Sequence, residues 1–316
     1  MRIVGVSSQG AGKKTRLSST KYRVLAIVLV VVVVFAAYYL ATSQPTQESP
    51  YQPYLDRAVG YLSNQYNPYA GLIPELPNGT TFWLFSDNYL ASLAFARYGS
   101  SYSGFPVAID SAIRAYESLL PQSDVVSQYT ALNSTTASFD CPLNYSLRWG
   151  LSNGSLLEKG QDQIRTTSNT GDPSCAEDNY ADLQLLQAVY YHRLGNNTGA
   201  LWFYGKAVAD FNEGGMRDKA YLASGPDSEF QTYKTTLLVY ATICLGQQSQ
   251  QSENLGHAEN YLLSLQSPTG GFYTAYTLNL TSLNAPGVAN NGSVNTETTS
   301  LAALALELMV SPTGAC

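Results

Sequence analysis

Four times after residue 51 the chain repeats one pattern: an amphipathic stretch, a glycine-containing turn, a polar start, then a second stretch that is apolar on nearly every face. The first unit carries Leu55, Val59, Leu62 and Tyr66 at helical spacing, then AGLIPELP and SDNYLASLAFARYG. The second carries Ile109, Ala112, Ile113, Tyr116 and Leu120 and, after a polar insertion over 121–174, AEDNYADLQLLQAVYYHRLG. The third has Leu201, Tyr204, Val208 and Phe211, then EGGMRDKAY and DSEFQTYKTTLLVYATICLG. The fourth has Ala258, Tyr261, Leu262 and Leu265, then SPTGGFYTAY, a further loop and NTETTSLAALALELM. Gly99, Gly195 and Gly246 close three of the second helices, where a left-handed cap is needed.

A helix without a polar face must be buried from several sides. The pattern therefore predicts an all-α fold, an α/α-hairpin domain over 51–316 with apolar inner helices sheathed by amphipathic outer ones. Strand signals are confined to short stretches around 80–84 and 271–276. The polar helix starts at Asp87, Asp178, Glu229 and Glu297 recur at uneven steps, which disfavours a tetratricopeptide array with its period of about 34 residues.

Ahead of this domain, Val24 to Ala41 reads VLAIVLVVVVVFAAYYLA without a charge. As a helix it rises roughly 27 Å, close to the hydrocarbon thickness of a bilayer. Arg2, Lys13, Lys14, Arg16, Lys21 and Arg23 precede it with no acid among them. The expectation is a basic cytoplasmic tail (1–23), a transmembrane signal anchor (24–41), a short linker (42–50) and an extracellular domain, with the membrane a partner through 24–41. A cleaved signal ending at Ala41-Thr42-Ser43 is the alternative, and it also exports the domain. Seven sequons, at Asn78, Asn133, Asn144, Asn153, Asn196, Asn279 and Asn291, all lie beyond the apolar run, as glycosylation of an exported chain requires. So do all four cysteines; the preferred pairings are Cys141–Cys175 and Cys244–Cys316, with a buried thiol at Cys244 as the alternative. A net charge of −6 disfavours nucleic acid as a partner.

The stretch LLSLQSPTGGFYTAY followed by NTETTSLAALALEL resembles the repeat of α/α-toroid proteins, which include six-hairpin glycosidases and terpenoid-cyclase barrels. Four hairpins rather than six imply an arc, or a ring completed by a second copy; the oligomeric state stays open. In those families the site lies where the inner helices begin. Carried onto this chain, the resemblance nominates Glu75, Asp87, Glu177, Asp178 and Glu229 as catalytic carboxylates. It nominates Trp83, Asn88, Tyr89, Asn179, Tyr180, Phe272, Tyr273 and Glu297 as substrate-binding. Asp218, Arg217, Asp227, Gln231 and Thr298 belong to the same end, and Phe85 adds aromatic area.

A glycosidase needs two carboxyl groups flanking the scissile bond, one of them holding a proton. Glu177 or Glu75 is the expected acid and Asp87 or Asp178 the expected base. The competing reading is plain helix capping, since acids and Asn at helix starts satisfy free N–H groups and the dipole. Clustered carboxylates around calcium are a third reading, although the spacing of an EF-hand is absent. No GxSxG, HExxH or phosphate-loop motif occurs, and no cofactor or resident metal is expected. Two functions remain in view: binding or hydrolysis of a surface or extracellular glycan, and a non-enzymatic scaffold in adhesion or an envelope, with an envelope protein as partner.

Overall fold

A computed structural model describes residues 27–36, 39, 48–77, 82–117, 128–135, 137, 139, 144–152, 155–157, 162–168, 180–212, 214–225, 228–279, 287–312 and 316. The chain divides into two compact units, Met1–Glu48 and Ser49–Cys316. In the first unit, helix α1 covers 27–36, about 15 Å of rise and half of what a bilayer core needs. Among the described residues no helix is long and apolar enough to cross a membrane. The expected transmembrane helix over 24–41 is thereby corrected; its residues 24–26, 37–38 and 40–41 lie outside the described set.

In the second unit the amphipathic stretches form α2 (Gln52–Gln65), α4 (Gly104–Glu117), α6 (Asn197–Ala209) and α9 (Ser252–Ser264). The apolar stretches form α3 (Phe85–Tyr98), α5 (Ala181–Arg193), α8 (Thr232–Cys244) and α10 (Thr296–Val310). A five-residue helix, α7 (Lys219–Ala223), lies between. Helix α10 packs against both α3 and α8, and α8 packs against α5. A 3-10 turn, Tyr129–Leu132, bridges α5 back to α3. These four helices form the inner layer, and nearly every position of α8 and α10 is buried. That burial follows from their lack of a polar face.

Each inner helix is covered by the outer helix that follows it in sequence: α3 by α4, α5 by α6, α8 by α9. The last inner helix, α10, is covered by the first outer one, α2, so the two ends of the unit interlock. The turn SPTGGF makes this closure. Gln266 Nε2 donates to Tyr54 O of α2 at 2.8 Å and to Gly270 O at 2.9 Å. Gly270 has φ +100°, and a side chain there would meet the Arg57 carbonyl; one at Gly271 would meet Val294 and Tyr61. Only glycine lets this turn approach α2 so closely.

The fold is not all-α, which corrects the second part of the expected class. A four-stranded sheet, ordered β1-β4-β2-β3, joins Phe82–Leu84 (β1) to the insertion strands Asn144–Ser152 (β2), Ser155–Leu157 (β3) and Asp162–Ser168 (β4). Strand β1 runs parallel to β4, and β2 lies antiparallel to β3 and β4. The sequence carries the reason: Tyr145, Leu147, Trp149 and Leu151 alternate with polar or small residues at the two-residue period of a strand. Two smaller sheets pair Phe211–Asn212 (β5) with Gly215–Met216 (β6), and Phe230–Gln231 (β7) with Tyr273–Asn279 (β8) and Gly287–Val294 (β9).

Cys244, at the end of α8, is disulfide-bonded to Cys316, with Cα atoms 5.5 Å apart. This is the pairing expected from the sequence. Cys141 and Cys175 lie outside the described residues. Of the sequon asparagines, Asn133 and Asn196 are exposed, and Asn196 also caps α6 by accepting from Gly199 N at 3.0 Å. Asn78 and Asn153, and the side chains of Asn144, Asn279 and Asn291, are outside the described set.

Candidate carboxylate site at the inner-helix N-termini

The first turns of the four inner helices carry Asp87 (α3), Asp182 (α5), Lys234 (α8) and Glu297 (α10). Side-chain contacts and electrostatic interactions link them at one end of the inner layer. Lys234 Nζ lies 2.5 Å from Asp218 Oδ2 and 3.8 Å from Asp182 Oδ1. Tyr233 donates its hydroxyl to Asp182 Oδ2 at 3.4 Å, and Tyr129 donates to Glu297 Oε1 at 2.5 Å. Glu75 joins from the segment before α3. Asn88 clamps that segment, accepting from Ile73 N at 2.6 Å and donating to Ile73 O at 2.9 Å. On the other side Thr296 donates its N–H to Glu75 O at 2.9 Å and its hydroxyl to Pro74 O at 2.6 Å. Residues 73–75 are thus held between α3 and α10, which brings Glu75 near Asp87 and Glu297.

The environment favours protonated carboxyls. Burial, then the charges of Glu297 and Glu75, raises the Asp87 pKa well above its ordinary value, against a weaker opposing bond from the Ser86 hydroxyl. Glu297 is raised by burial first and by Asp182 and Glu75, while the Tyr129 hydrogen bond pulls the other way. Asp182 is also raised, chiefly by burial, despite Lys234. Both phenols, Tyr129 and Tyr233, are raised well above 10 by burial and by neighbouring carboxylates, so they remain donors. Oδ2 of Asp87 is buried and has no hydrogen-bond partner among the described residues.

The opposite end carries two arginines. Arg97 of α3 and Arg193 of α5 both donate to Leu132 O at 2.7 Å. Acids at the N-termini and arginines at the C-termini complement the helix dipoles. A cleft of 220 Å³ at that opposite end is lined by His192, Asn197, Ala200, Leu201, Leu245 and Gln247, away from the carboxylates.

The capping reading separates from the carboxylates at two of these starts. Asn295, not Glu297, caps α10, accepting from Thr298 N at 2.9 Å. Helix α3 has Leu84 at its cap position and no side-chain cap, with Asp87 the third residue of its first turn. Asp218 is a cap, of α7, through Tyr221 N at 3.2 Å, and its other oxygen accepts from Ala181 N at 2.9 Å.

Of the nominated residues, Glu75, Asp87 and Glu297 come together. The Asn88 side chain is committed to backbone, so it serves as a clamp. Trp83 and Phe272 are core residues, buried below solvent reach, as is Phe85, stacked on Tyr116. Tyr89 is half-buried on α3, Tyr180 half-buried at the cap of α5, and Tyr273 half-buried in β8. Glu229 is exposed ahead of β7. Glu177, Asp178, Asn179 and Asp227 lie outside the described residues. Asp87 was the expected base; burial among like charges makes it a proton holder.

Sequence reasoning missed Asp182, Lys234, Tyr129 and Tyr233 as members of the group. The repeated D-N-Y misled, because it falls inside α3 at 87–89 but ends at the cap of α5 at 178–180. Lys234 had a usable signal, as a cation in a first turn opposes the dipole and needs an acid partner. Tyr129 had none. Among the described residues no three His, Cys, Asp or Glu side chains are grouped to hold a metal ion. The chain gives no significant match to any protein-family model, curated protein or solved structure.

Proposed function

We propose that the helical domain binds and hydrolyses a glycan at this N-terminal rim. The observation that carries the reading is the gathering of Glu75, Asp87 and Glu297 within mutual electrostatic reach, with Glu297 oriented by the Tyr129 hydroxyl. Asp87 and Glu297 are both pushed towards their protonated forms, and a carboxyl that holds its proton beside another carboxyl supplies the acid that such chemistry needs. Glu297, half-buried and raised, donates the proton to the leaving oxygen. Glu75, also half-buried, is the second carboxyl of the pair. Asp87 lies behind them as the proton reserve. The Cys244–Cys316 disulfide and the sequons support an oxidising, extracellular setting, where glycans are abundant substrates.

The test is release of reducing ends from a panel of soluble polysaccharides by the wild type, Glu297→Gln and Glu75→Gln. Each amide is expected to lower the rate by about 10²–10⁴-fold with the melting temperature held. A wild type that releases nothing, or amides that keep full activity, overturns the reading. One observation favours the non-enzymatic scaffold instead: Asp87 is fully buried. On that reading Asp87→Asn changes stability alone.

A further inference from the structure

Helix α6 opens on the sequon Asn196-Asn197-Thr198, and all three residues are exposed. The two ends of the Asn196 amide are free for different tasks. Its Oδ1 caps the helix, accepting from Gly199 N at 3.0 Å, which leaves Nδ2 outside the cap. Residue 199 has no side chain where Nδ2 lies: a Cβ there would come 3.0 Å from Asn196 Nδ2 and 3.1 Å from Tyr191 Cδ1. The amide nitrogen and the Tyr191 ring therefore border the same small space. From that ring an aromatic run continues across the α5–α6 pair. Tyr191 stacks on Phe203 with centroids 5.3 Å apart and planes 10° apart, and Phe203 meets Trp202 edge to face at 4.6 Å. Tyr191 and Phe203 are half-buried, whereas Trp202 is 55% exposed and its neighbour Leu201 46%. Indole rings are mostly buried in folded chains, so this one, at the open end of a packed run, has room for a covering group.

A sugar ring presents C–H bonds on one face, and the negative face of an aromatic ring attracts them while the hydroxyls stay in water. We propose that Asn196 is a glycosylation site and that its glycan lies on the shelf formed by Tyr191, Phe203 and Trp202. Attachment is group transfer from an oligosaccharide carried on a lipid pyrophosphate. The bond from sugar C1 to the pyrophosphate oxygen breaks, that oxygen keeps the electron pair, and C1 bonds to Asn196 Nδ2. One Nδ2 proton passes to a base of the transferring enzyme, and nothing is oxidised or reduced. Oδ1 still accepts from Gly199 N, so the modified asparagine still caps α6. The missing side chain at Gly199 leaves the space beside Tyr191 that the linkage needs. Such a glycan requires export of the domain and is independent of the carboxylate rim.

The test compares the full chain, exported by a host that attaches N-linked sugars, with its Thr198→Ala variant. That substitution removes the sequon hydroxyl and leaves the Asn196 cap in place. Trypsin cuts after Arg193 and Lys206, so the peptide 194–206 carries both Asn196 and Trp202. In the wild type this peptide is expected to bear a saccharide mass that a glycan-releasing amidase removes, and in Thr198→Ala to bear none. Hydroxyl-radical labelling of the folded proteins, followed by glycan release and digestion, then reads the shelf. Trp202 should be oxidised at least about twofold less in the glycosylated wild type than in Thr198→Ala, because a covered indole loses much of its accessible area. Wild type stripped of its glycan before labelling should match the variant, which separates the glycan from any effect of the substitution. Tyr69, 80% exposed, should be oxidised equally in all three. An unmodified Asn196 overturns the inference. So does a glycosylated Asn196 with Trp202 oxidised to the same extent in every form, since the glycan then projects into solvent.

Discussion

The Tyr129 hydroxyl donates to Glu297 Oε1 across 2.5 Å, joining the 3-10 turn that precedes the insertion strands to the last inner helix, 168 residues away. A donor to a carboxylate stabilises its ionised form, so this bond restrains the upward push that burial gives Glu297. Tyr129→Phe removes the restraint, and the Glu297 pKa should then rise further. The alkaline limb of a rate profile that needs protonated Glu297 would move to higher pH. Carboxyl-carbon NMR titration of Glu297 checks the shift without any substrate. A titration curve identical to that of the wild type would refute the role given to Tyr129.

Asp87 gives a prediction about stability. Its pKa is raised in the fold from an ordinary 3.8, by burial first and then by Glu297 and Glu75. The native state therefore binds the proton more tightly than the unfolded chain. Its contribution is fully present below the unfolded value and is lost as pH rises through the folded one. Asp87→Asn cannot ionise, so it should melt above the wild type at neutral pH and show no such advantage below pH 3.8. Melting temperature against pH measures both arms. A variant destabilised equally at acid and neutral pH would show that the Asp87 carboxylate is needed for packing.

The helical layers were legible because burial leaves a periodic trace: YLASLAFA and LAALALEL have nowhere to turn a polar face, and both are inner helices. Position within each helix start was not. One residue of offset decides whether an acid is a cap or a first-turn group, and the repeated D-N-Y takes different offsets in α3 and α5. The insertion was read by its polarity, which masked the alternation of Tyr145, Leu147, Trp149 and Leu151. Glu75 and Glu297 were both visible as acids, but their proximity depends on Thr296 reaching Pro74 and Glu75 across more than two hundred residues. No local pattern encodes such a contact.

Glycines separate by their surroundings. Gly205 of α6 and Gly60 of α2 have nothing within 4 Å of an added Cβ, and neither is among the positive-φ glycines. Replacing either with alanine should stabilise the domain by about 0.5–1 kcal/mol, the helix-propensity difference. Gly270→Ala should do the opposite, since φ is +100° and the new methyl would meet the Arg57 carbonyl. Separating that turn from α2 also breaks the Gln266 bridge. Thermal melts of the three variants check the ordering; Gly270→Ala as stable as Gly205→Ala would contradict the closure of α2 on the fourth hairpin.

Lys234 and Asp218 supply the most stringent test of the rim as a built network. Lys234 is 2% exposed and sits in the first turn of α8, where the helix dipole opposes its charge. Asp218 answers that charge while also receiving Ala181 N and Tyr221 N, so one carboxylate fixes α8, α5 and α7 together. Lys234→Met leaves Asp218 buried with no ammonium, a loss of about 3–5 kcal/mol for a broken buried pair. Asp218→Asn leaves the ammonium with only Asp182, at 3.8 Å, and should cost a similar amount. The double variant removes both charges, so its loss should be well below the sum of the two, by about 1–3 kcal/mol of coupling. Denaturant titration of the wild type and the three variants closes this cycle. Strict additivity would mean that the two side chains act independently, and the rim would lose the anchor that holds Asp182 and Tyr233 in place.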